Sequence, residues 1–199
     1  MPRPLSRYST VAILLHWLIA ALLLSNLWLG LTMSGEHGPA KLHTLPLHQT
    51  LGVTILMLSV LRLGWRMANP PPPEAPGVAH WEKTAAGLVH FGFYLVMICM
   101  PLSGWLLVSS GPADSPIRLY SIGGFHGLPW PHLPIPADLS PDRRKALASA
   151  SDAIHRFLSY SAYVLIVLHL LGALKHQLFN RNPVLPRMLP FLKRRPHSA

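Results

Sequence analysis

The chain has 199 residues, of which half are hydrophobic and only 12% are charged, and its mean hydropathy is +0.33. Soluble domains carry about 25% charged residues, so this composition excludes a disordered polar chain and argues against a water-soluble globule. The formal net charge of +10 does not indicate nucleic acid as a partner, because no basic segment alternates with aromatic residues that stack on bases. The single cysteine, Cys99, allows no intrachain disulfide. Length and composition together predict an integral membrane protein that contacts the lipid bilayer.

Four long segments between charged residues predict four transmembrane helices, since about 20 residues cross the hydrocarbon core. The predicted helices cover residues 10–33, 46–66, 84–108 and 141–178, the last crossing the membrane over about 153–178. Ser140 followed by Pro141 and Asp142 is a typical helix start. Residues 109–140 are predicted to form an outer loop, because the uncharged part of this segment contains four prolines. The predicted fold is therefore all-α, an integral membrane four-helix bundle built as a single domain over residues 1–199.

The distribution of lysine and arginine predicts how the bundle lies in the membrane. The N-terminus, the loop between the second and third helices and the C-terminal tail share one side and hold eleven of these residues, against six on the other side. Cytoplasmic loops carry an excess of lysine and arginine. Both termini are therefore predicted to be cytoplasmic. The first helix is predicted to be retained, because its apolar stretch is too long for a signal peptide.

Several of the twelve histidines lie inside the predicted helices, where ionisable side chains are costly and functional roles are common. His155 and His169 are 14 residues apart, so they share one face of the fourth helix at a separation of about 21 Å along its axis. His16 matches the depth of His169 near the cytoplasmic side, and His48 matches His155 near the outer side. Helix direction therefore predicts two histidine pairs, one in each half of the membrane.

Two facing imidazoles in an apolar bundle suit the axial positions of a haem iron, because the porphyrin supplies the other four ligands. Zinc or copper would favour additional Cys, Asp or Glu ligands, and no acid lies within the predicted spans. Gly52 and Gly172, which follow two of the histidines by four and three residues, would let a flat ring approach closely. His43 is a weaker candidate, because Pro46 is expected to open the second helix. The residues alone favour two non-covalent b haems, with packing histidines and a histidine-lined ion transporter as alternatives.

Short motifs surround these histidines and extend over nearly the whole chain apart from the outer loop. They are YS at 8–9, LHWL at 15–18, HQTLG at 48–52, RLGWR at 62–66, PLSGW at 101–105, HLLGALKH at 169–176, NRN at 180–182 and RMLP at 187–190. In this combination the chain resembles the bacterial cytochrome b561 family, four-helix di-haem cytochromes linked to quinones. The resemblance implies a multi-pass protein of the bacterial inner membrane that holds two haem b groups. It also implies that the axial ligands are His16, His48, His155 and His169.

The same resemblance suggests roles for polar residues near the cytoplasmic side. It implies a ubiquinone site near the inner haem at His176, with Lys175 beside it, at the edge of the membrane. Arg62 and Arg66 are expected either to pair with the propionates of the inner haem or to serve as positive-inside anchors. His90 matches a family histidine that supplies no ligand, so polar packing or a propionate contact is its expected use. It is nevertheless the main rival to the predicted inner histidine pair.

Bis-histidine iron has no open coordination position and favours electron transfer over oxygen binding. Some members of the family that the chain resembles oxidise superoxide and reduce ubiquinone. The expected function is therefore electron transfer between an outer, periplasmic donor, with superoxide as a candidate, and ubiquinone near the cytoplasmic side. Basic residues near the outer histidine of the fourth helix would attract an anion; they are Arg143, Arg144, Lys145 and Arg156. The alternatives are a relay subunit that serves a periplasmic redox protein and a haem-free ion transporter.

Overall fold

The computed structural model describes residues 7–33, 39–72, 78–111, 117–121, 127–178 and 185–189. Four long helices dominate it: α1 (Thr10–Met33), α2 (Pro39–Ala68), α3 (His80–Ser109) and α4 (Pro141–Leu178). Two short strands, β1 (Ile117–Leu119) and β2 (Leu128–Trp130), and a final turn of helix, α5 (Leu185–Met188), complete the described elements. Each long helix contains an apolar stretch long enough to cross a membrane. The predicted all-α membrane bundle is therefore confirmed, whereas the motif at 180–182 lies outside the described residues.

The bounds of the middle two helices differ from the prediction, whereas α1 and α4 begin and end where the sequence indicated. The predicted start of α2 at Pro46 was wrong, because the helix begins at Pro39 and Pro46 lies inside it. A proline inside a helix removes one hydrogen bond and crowds the carbonyl four residues earlier, but α2 continues through Pro46 and includes the backbone of His43. The side chain of His43 lies outside the described part of the structure.

The predicted start of α3, at residue 84, was also wrong, because the helix begins at His80. This helix has Glu82 in its first turn, where the helix dipole favours a negative charge. Glu82 lies just outside the predicted third span, which begins at residue 84, but inside the helix as the structure has it. Glu82 pairs with Lys175 near the end of α4, so the extra turn of α3 is stabilised by a contact between two helices. Such a contact cannot be read from the local sequence.

The helices pack in the sequence α1 against α2, α2 against α3, and α3 against α4. Their shared core is a layer of buried apolar side chains in the middle of the bundle. It consists of Ile19, Leu23, Leu27, Ile55, Val96, Met97, Met100, Leu158 and Ala162. Large apolar side chains such as Trp28, Phe91 and Phe157 are exposed on the outside of the bundle, as expected for surfaces that face lipid. The core layer separates the two halves of the molecule in which the polar residues lie.

The outer segment between α3 and α4 is fixed to the bundle. Strands β1 and β2 pair in antiparallel fashion, and the main-chain N–H of Tyr120 donates a hydrogen bond to Thr50 Oγ1 of α2 at 2.9 Å. The Trp105 indole of α3 donates to the carbonyl oxygen of Pro131 at 2.8 Å. The described parts of the predicted outer loop therefore form a hairpin cap rather than a loose connection.

At the opposite end, the last described residues return to the first helix. The Trp17 indole of α1 donates a hydrogen bond to the carbonyl oxygen of Met188 in α5 at 2.8 Å. The Trp65 indole of α2 donates to Ser9 Oγ at 3.0 Å. The start of α1 and the residues that follow α4 therefore lie at one end of the bundle, as an even number of membrane crossings requires. We refer to this end as the inner end and to the hairpin end as the outer end.

Candidate haem and quinone sites

The structure brings together the two histidine pairs that the sequence predicted from depth. His16 of α1 and His169 of α4 lie at the inner end, with ring centres 6.2 Å apart and planes at 64°. His48 of α2 and His155 of α4 lie at the outer end, with ring centres 6.0 Å apart and planes at 72°. The interior of the bundle therefore presents two facing imidazole pairs, one on each side of the apolar core layer.

The spacing within each pair fits a metal ion held between two imidazoles. A histidine nitrogen binds a first-row metal at about 2 Å and lies about 1 Å from its ring centre, so two such bonds in line separate the ring centres by about 6 Å. Within the described residues, no three His, Cys, Asp or Glu side chains converge to hold a bare metal ion. A metal that brings its own equatorial ligands, as in haem, fits this donor set better than an isolated ion.

The inner pair lines a cavity of about 430 Å³, within the usual range of cofactor sites. All residues predicted for the inner haem and the quinone line this cavity: His16, Arg62, Arg66, His169, Lys175 and His176. Gly172 also lies in its wall, and a Cβ atom placed there would meet nothing within 4 Å. The open space beside Gly172 agrees with the predicted approach of a flat ring. Gly52 lines the outer cavity, where an added Cβ atom would lie 3.7 Å from Asn26 Nδ2.

A third histidine, His90 of α3, belongs to the inner cluster. Its ring centre lies 5.5 Å from that of His169, a shorter distance than an iron between two imidazoles requires. The Nδ1 atom of His16 is buried, and the described residues provide no hydrogen-bond partner for it. Phe93 contacts the ring of His169 edge-on, with centres 5.6 Å apart. The distances favour His16 over His90 as the partner of His169 and leave His90 beside the pair.

The outer pair lines a second cavity, of about 630 Å³, whose wall includes Trp130 of the hairpin. His155 Nδ1 lies 2.9 Å from the carbonyl oxygen of Met100. A carbonyl only accepts, so Nδ1 carries the proton and Nε2 keeps the lone pair that binds a metal. A Cβ atom at Gly104 would lie 3.1 Å from the His155 ring, and one at Gly30 would lie 3.5 Å from the His48 ring. Two glycines thus allow the outer imidazoles to lie directly against neighbouring helices.

Sequence reasoning missed these supporting groups. Gly104 stands in the PLSGW motif, but nothing in the sequence indicated that it packs against a histidine 51 residues later. The carbonyl of Met100 is a backbone group, for which side-chain patterns provide no signal. Ser103, whose hydroxyl lies 3.2 Å from His155 Nδ1, belongs to the same motif and was also unassigned.

The charged groups at the two ends have partners. At the inner end, Lys175 pairs with Glu82, and its ammonium lies 4.6 Å from the centre of the Trp81 ring. At the outer end, Arg156 lines the cavity and pairs with Asp152 one turn earlier, at 2.5 Å. The predicted basic surface near the outer cavity is therefore partly neutralised by its own helix.

The match to known proteins agrees with this geometry. A family model described as prokaryotic cytochrome b561 matches residues 7–191. The chain belongs to the prokaryotic cytochrome b561 family. It is thus a multi-pass membrane electron-transfer protein, and membership implies haem b as its cofactor.

Individual relatives are similar over most of their length. The chain is 30% identical to cytochrome b561 homolog 2 of Escherichia coli K12, covering 92% of this chain and 91% of that protein. It is 27% identical to the probable superoxide oxidase CybB of Yersinia pestis, covering 92% and 96%. It is 31% identical to cytochrome b562 of Cereibacter sphaeroides, where the match covers 53% of this chain and 69% of that protein. Two of these relatives are named as cytochromes, and the third is named as a probable superoxide oxidase.

Proposed function

We propose that this cytochrome is a superoxide:ubiquinone oxidoreductase of the bacterial inner membrane. It takes electrons from superoxide on the periplasmic side and reduces ubiquinone near the cytoplasmic side. The observation that carries the proposal is the pair of histidine-lined cavities, one at each end of the bundle, separated by a layer of apolar side chains. The name of the Yersinia pestis relative supports superoxide as the donor.

The geometry supports a proposal for the residues that would hold two haem b groups. His48 and His155 would hold one haem at the outer end, and His16 and His169 would hold the other at the inner end. Arg62 and Arg66, which line the inner cavity, are placed to pair with propionates. Haem b held by two histidines supplies reversible one-electron transfer and has no open position for oxygen.

The apolar core layer also separates the two histidine pairs along the bundle. Electrons pass between the two ends over a separation of about 21 Å along α4, measured between its two histidines. The apolar side chains between them, including Ile19, Ile55 and Val96, are almost fully buried. This mainly apolar layer disfavours the passage of water and protons between the two ends.

At the outer end, this chain must attract a small anion and release a neutral product. Arg156 is 66% exposed and lines the outer cavity, so its positive charge faces the side from which superoxide arrives. An exposed charge at a cavity mouth raises the encounter rate of an opposite charge. Two superoxide anions each lose one electron and leave as O₂, which matches the two-electron demand of one ubiquinone.

At the inner end, His176 and Lys175 are the proposed quinone residues. Both line the inner cavity on the last turns of α4, and both present nitrogen atoms suited to the carbonyl oxygens of a quinone. Tryptophans 17, 65 and 81 line the same cavity, as expected where an aromatic belt meets the membrane interface. A quinone can therefore enter from the lipid with its headgroup at the cavity and its tail in the bilayer.

The test is pulsed or stopped-flow reduction of the purified, haem-loaded protein by superoxide, with and without ubiquinone. The proposal predicts rapid reduction by superoxide and, when ubiquinone is present, reoxidation with formation of one quinol per two superoxide anions. Absence of reduction by superoxide would overturn the proposal and favour the relay subunit that serves a periplasmic redox protein. A protein that binds no haem after expression with ample haem supply would favour the histidine-lined transporter.

A further inference from the structure

The mouth of the inner cavity carries a carboxylate to which the proposed function has assigned no role. Glu82, in the first turn of α3, pairs with Lys175 of α4, whose ammonium lies over the Trp81 ring. The Glu82 side chain is 10% exposed, whereas that of Lys175 is 42% exposed. In the described part of the chain, Glu82 is the one acid that lines the inner cavity. The carboxylate therefore lies between cytoplasmic water and the cavity interior.

Ubiquinone reduction needs protons as well as electrons. Two electrons and two protons convert one ubiquinone into ubiquinol, with one O–H bond formed at each carbonyl oxygen. The protons cannot come from Arg62 or Arg66, which line the cavity, because a guanidinium does not release its proton in proteins. The apolar core layer lies between this cavity and the outer end, so the nearer supply is water at the inner mouth. A group at the inner mouth that exchanges protons with this water is suited to deliver them to the quinone.

The charges around Glu82 suit such a task. Lys175 pairs with Glu82, His176 of α4 adds a second favourable interaction, and Arg62 and Arg66 of α2 line the same cavity. Lys175 and His176 favour the ionised carboxylate while the quinone is neutral. Negative charge arriving on the quinone favours protonation of a nearby carboxylate, so proton uptake follows electron arrival.

We propose that Glu82 is the proton-uptake residue of the quinone site, receiving protons from cytoplasmic water and passing them through His176 to the quinone oxygens. For each ubiquinone, Glu82 is protonated and deprotonated twice and ends unchanged. The two electrons come from two superoxide anions, which leave as O₂. The inference rests on the proposed function, because it assigns the proton source for the quinone reduction proposed there.

The experiment is a single turnover of the haem-loaded protein. Protein reduced beforehand is mixed with saturating ubiquinone-1 in the presence of a pH-indicator dye, so that quinol formation and proton uptake are followed together. In Glu82→Gln, both rates should fall about 100-fold, as expected for loss of a proton-transfer group, with haem content and spectrum unchanged. Added formate, a small acid that can replace the missing carboxyl group, should restore part of the rate.

Two further variants separate proton transfer from a structural role of the ion pair. Glu82→Asp keeps a carboxylate and should retain most of the proton-uptake rate. Lys175→Met breaks the same ion pair but leaves Glu82 in place, so it should raise the quinone concentration required and slow uptake at saturation far less than Glu82→Gln does. Neither of these two variants should respond to formate.

The outcomes distinguish the two proposals. If wild-type protein is not reoxidised by ubiquinone, the proposed function fails and this inference fails with it. If wild-type protein reduces ubiquinone but Glu82→Gln does so equally fast, only the role of Glu82 is overturned. Equal slowing of Glu82→Gln and Lys175→Met, with no effect of formate, would show that the ion pair acts only by holding α3 against α4.

Discussion

The inner and outer cavities contain similar histidine pairs in different surroundings. At the outer end, His155 is fixed by the carbonyl of Met100 and by close contact with Gly104, and a hydrogen-bonded hairpin covers the cavity. At the inner end, a third histidine, two arginines and the Glu82–Lys175 pair line a cavity beside exposed tryptophans. The outer imidazoles are therefore held by more contacts from neighbouring helices, whereas the inner cavity has the more polar and charged lining, as the proposed exchange of quinone and protons would need.

The largest expected effect comes from removing one histidine of each pair. His155→Ala should remove the outer haem and His169→Ala the inner one, so haem per protein should fall from two to about one in each variant, since an iron needs both axial ligands. The haem content, measured as the pyridine complex, and the two reduced spectra provide the check. The same spectral loss in both variants would contradict the assignment of separate sites.

Gly104→Ala should weaken only the outer site. The added Cβ atom would lie 3.1 Å from the His155 ring, so the ring must shift from its hydrogen bond with Met100, and haem occupancy at the outer end should fall. Gly64→Ala is the matched control, because a Cβ there meets nothing within 4 Å. Haem titration of both variants makes the comparison, and an equal occupancy in the two would show that the close contact is unimportant.

Gly172→Ala tests whether the haem at the inner end occupies the open space beside Gly172. A Cβ at Gly172 meets no protein atom within 4 Å but enters the cavity. Without haem, the variant should therefore be as stable as wild type or more stable, by up to about 1 kcal/mol from helix propensity. With haem, inner occupancy should fall. Thermal unfolding with and without haem distinguishes this result from a general packing defect, which would lower stability in both states.

A smaller effect is expected from the charges at the outer mouth. Arg156→Gln should slow superoxide-driven reduction about threefold, because one attracting charge is lost. Asp152→Asn removes the acid that pairs with Arg156 and should have the opposite effect. Both differences should shrink as ionic strength rises, since exposed charges are screened. If both variants were reduced by superoxide as fast as the wild type at low salt, Arg156 and Asp152 would not steer the substrate.

The smallest effect is expected in the hairpin cap. Tyr120→Phe removes the hydroxyl that lies 2.9 Å from Thr54 Oγ1, a hydrogen bond worth about 1 kcal/mol. Hydrogen exchange of residues 117–121 should become faster while the haem content of both sites stays unchanged. Loss of the outer haem in this variant would show that the cap, and not only the helices, holds the outer site.

Much of the architecture was predictable because it depends on local or repeating features. Long uncharged stretches predicted four membrane helices, and the capping sequence at Ser140 predicted the start of α4, where the Arg143 N–H contacts Ser140 Oγ at 3.5 Å. The regular rise of a helix was sufficient to match His155 with His48 and His169 with His16 by depth. Pro46 was misleading, because a proline usually kinks or ends a helix or stands in its first turn, whereas here α2 starts seven residues earlier and continues through it.

Composition, helix periodicity and histidine spacing determined that this chain is a membrane bundle with two imidazole pairs at different depths. Only the tertiary structure decided which groups support each pair: the carbonyl of Met100, the glycines against the outer rings, His90 beside the inner pair and the acid at the inner mouth. These contacts join residues that are distant in sequence. Their geometry is determined by how the helices rotate and pack against one another, which no local pattern encodes.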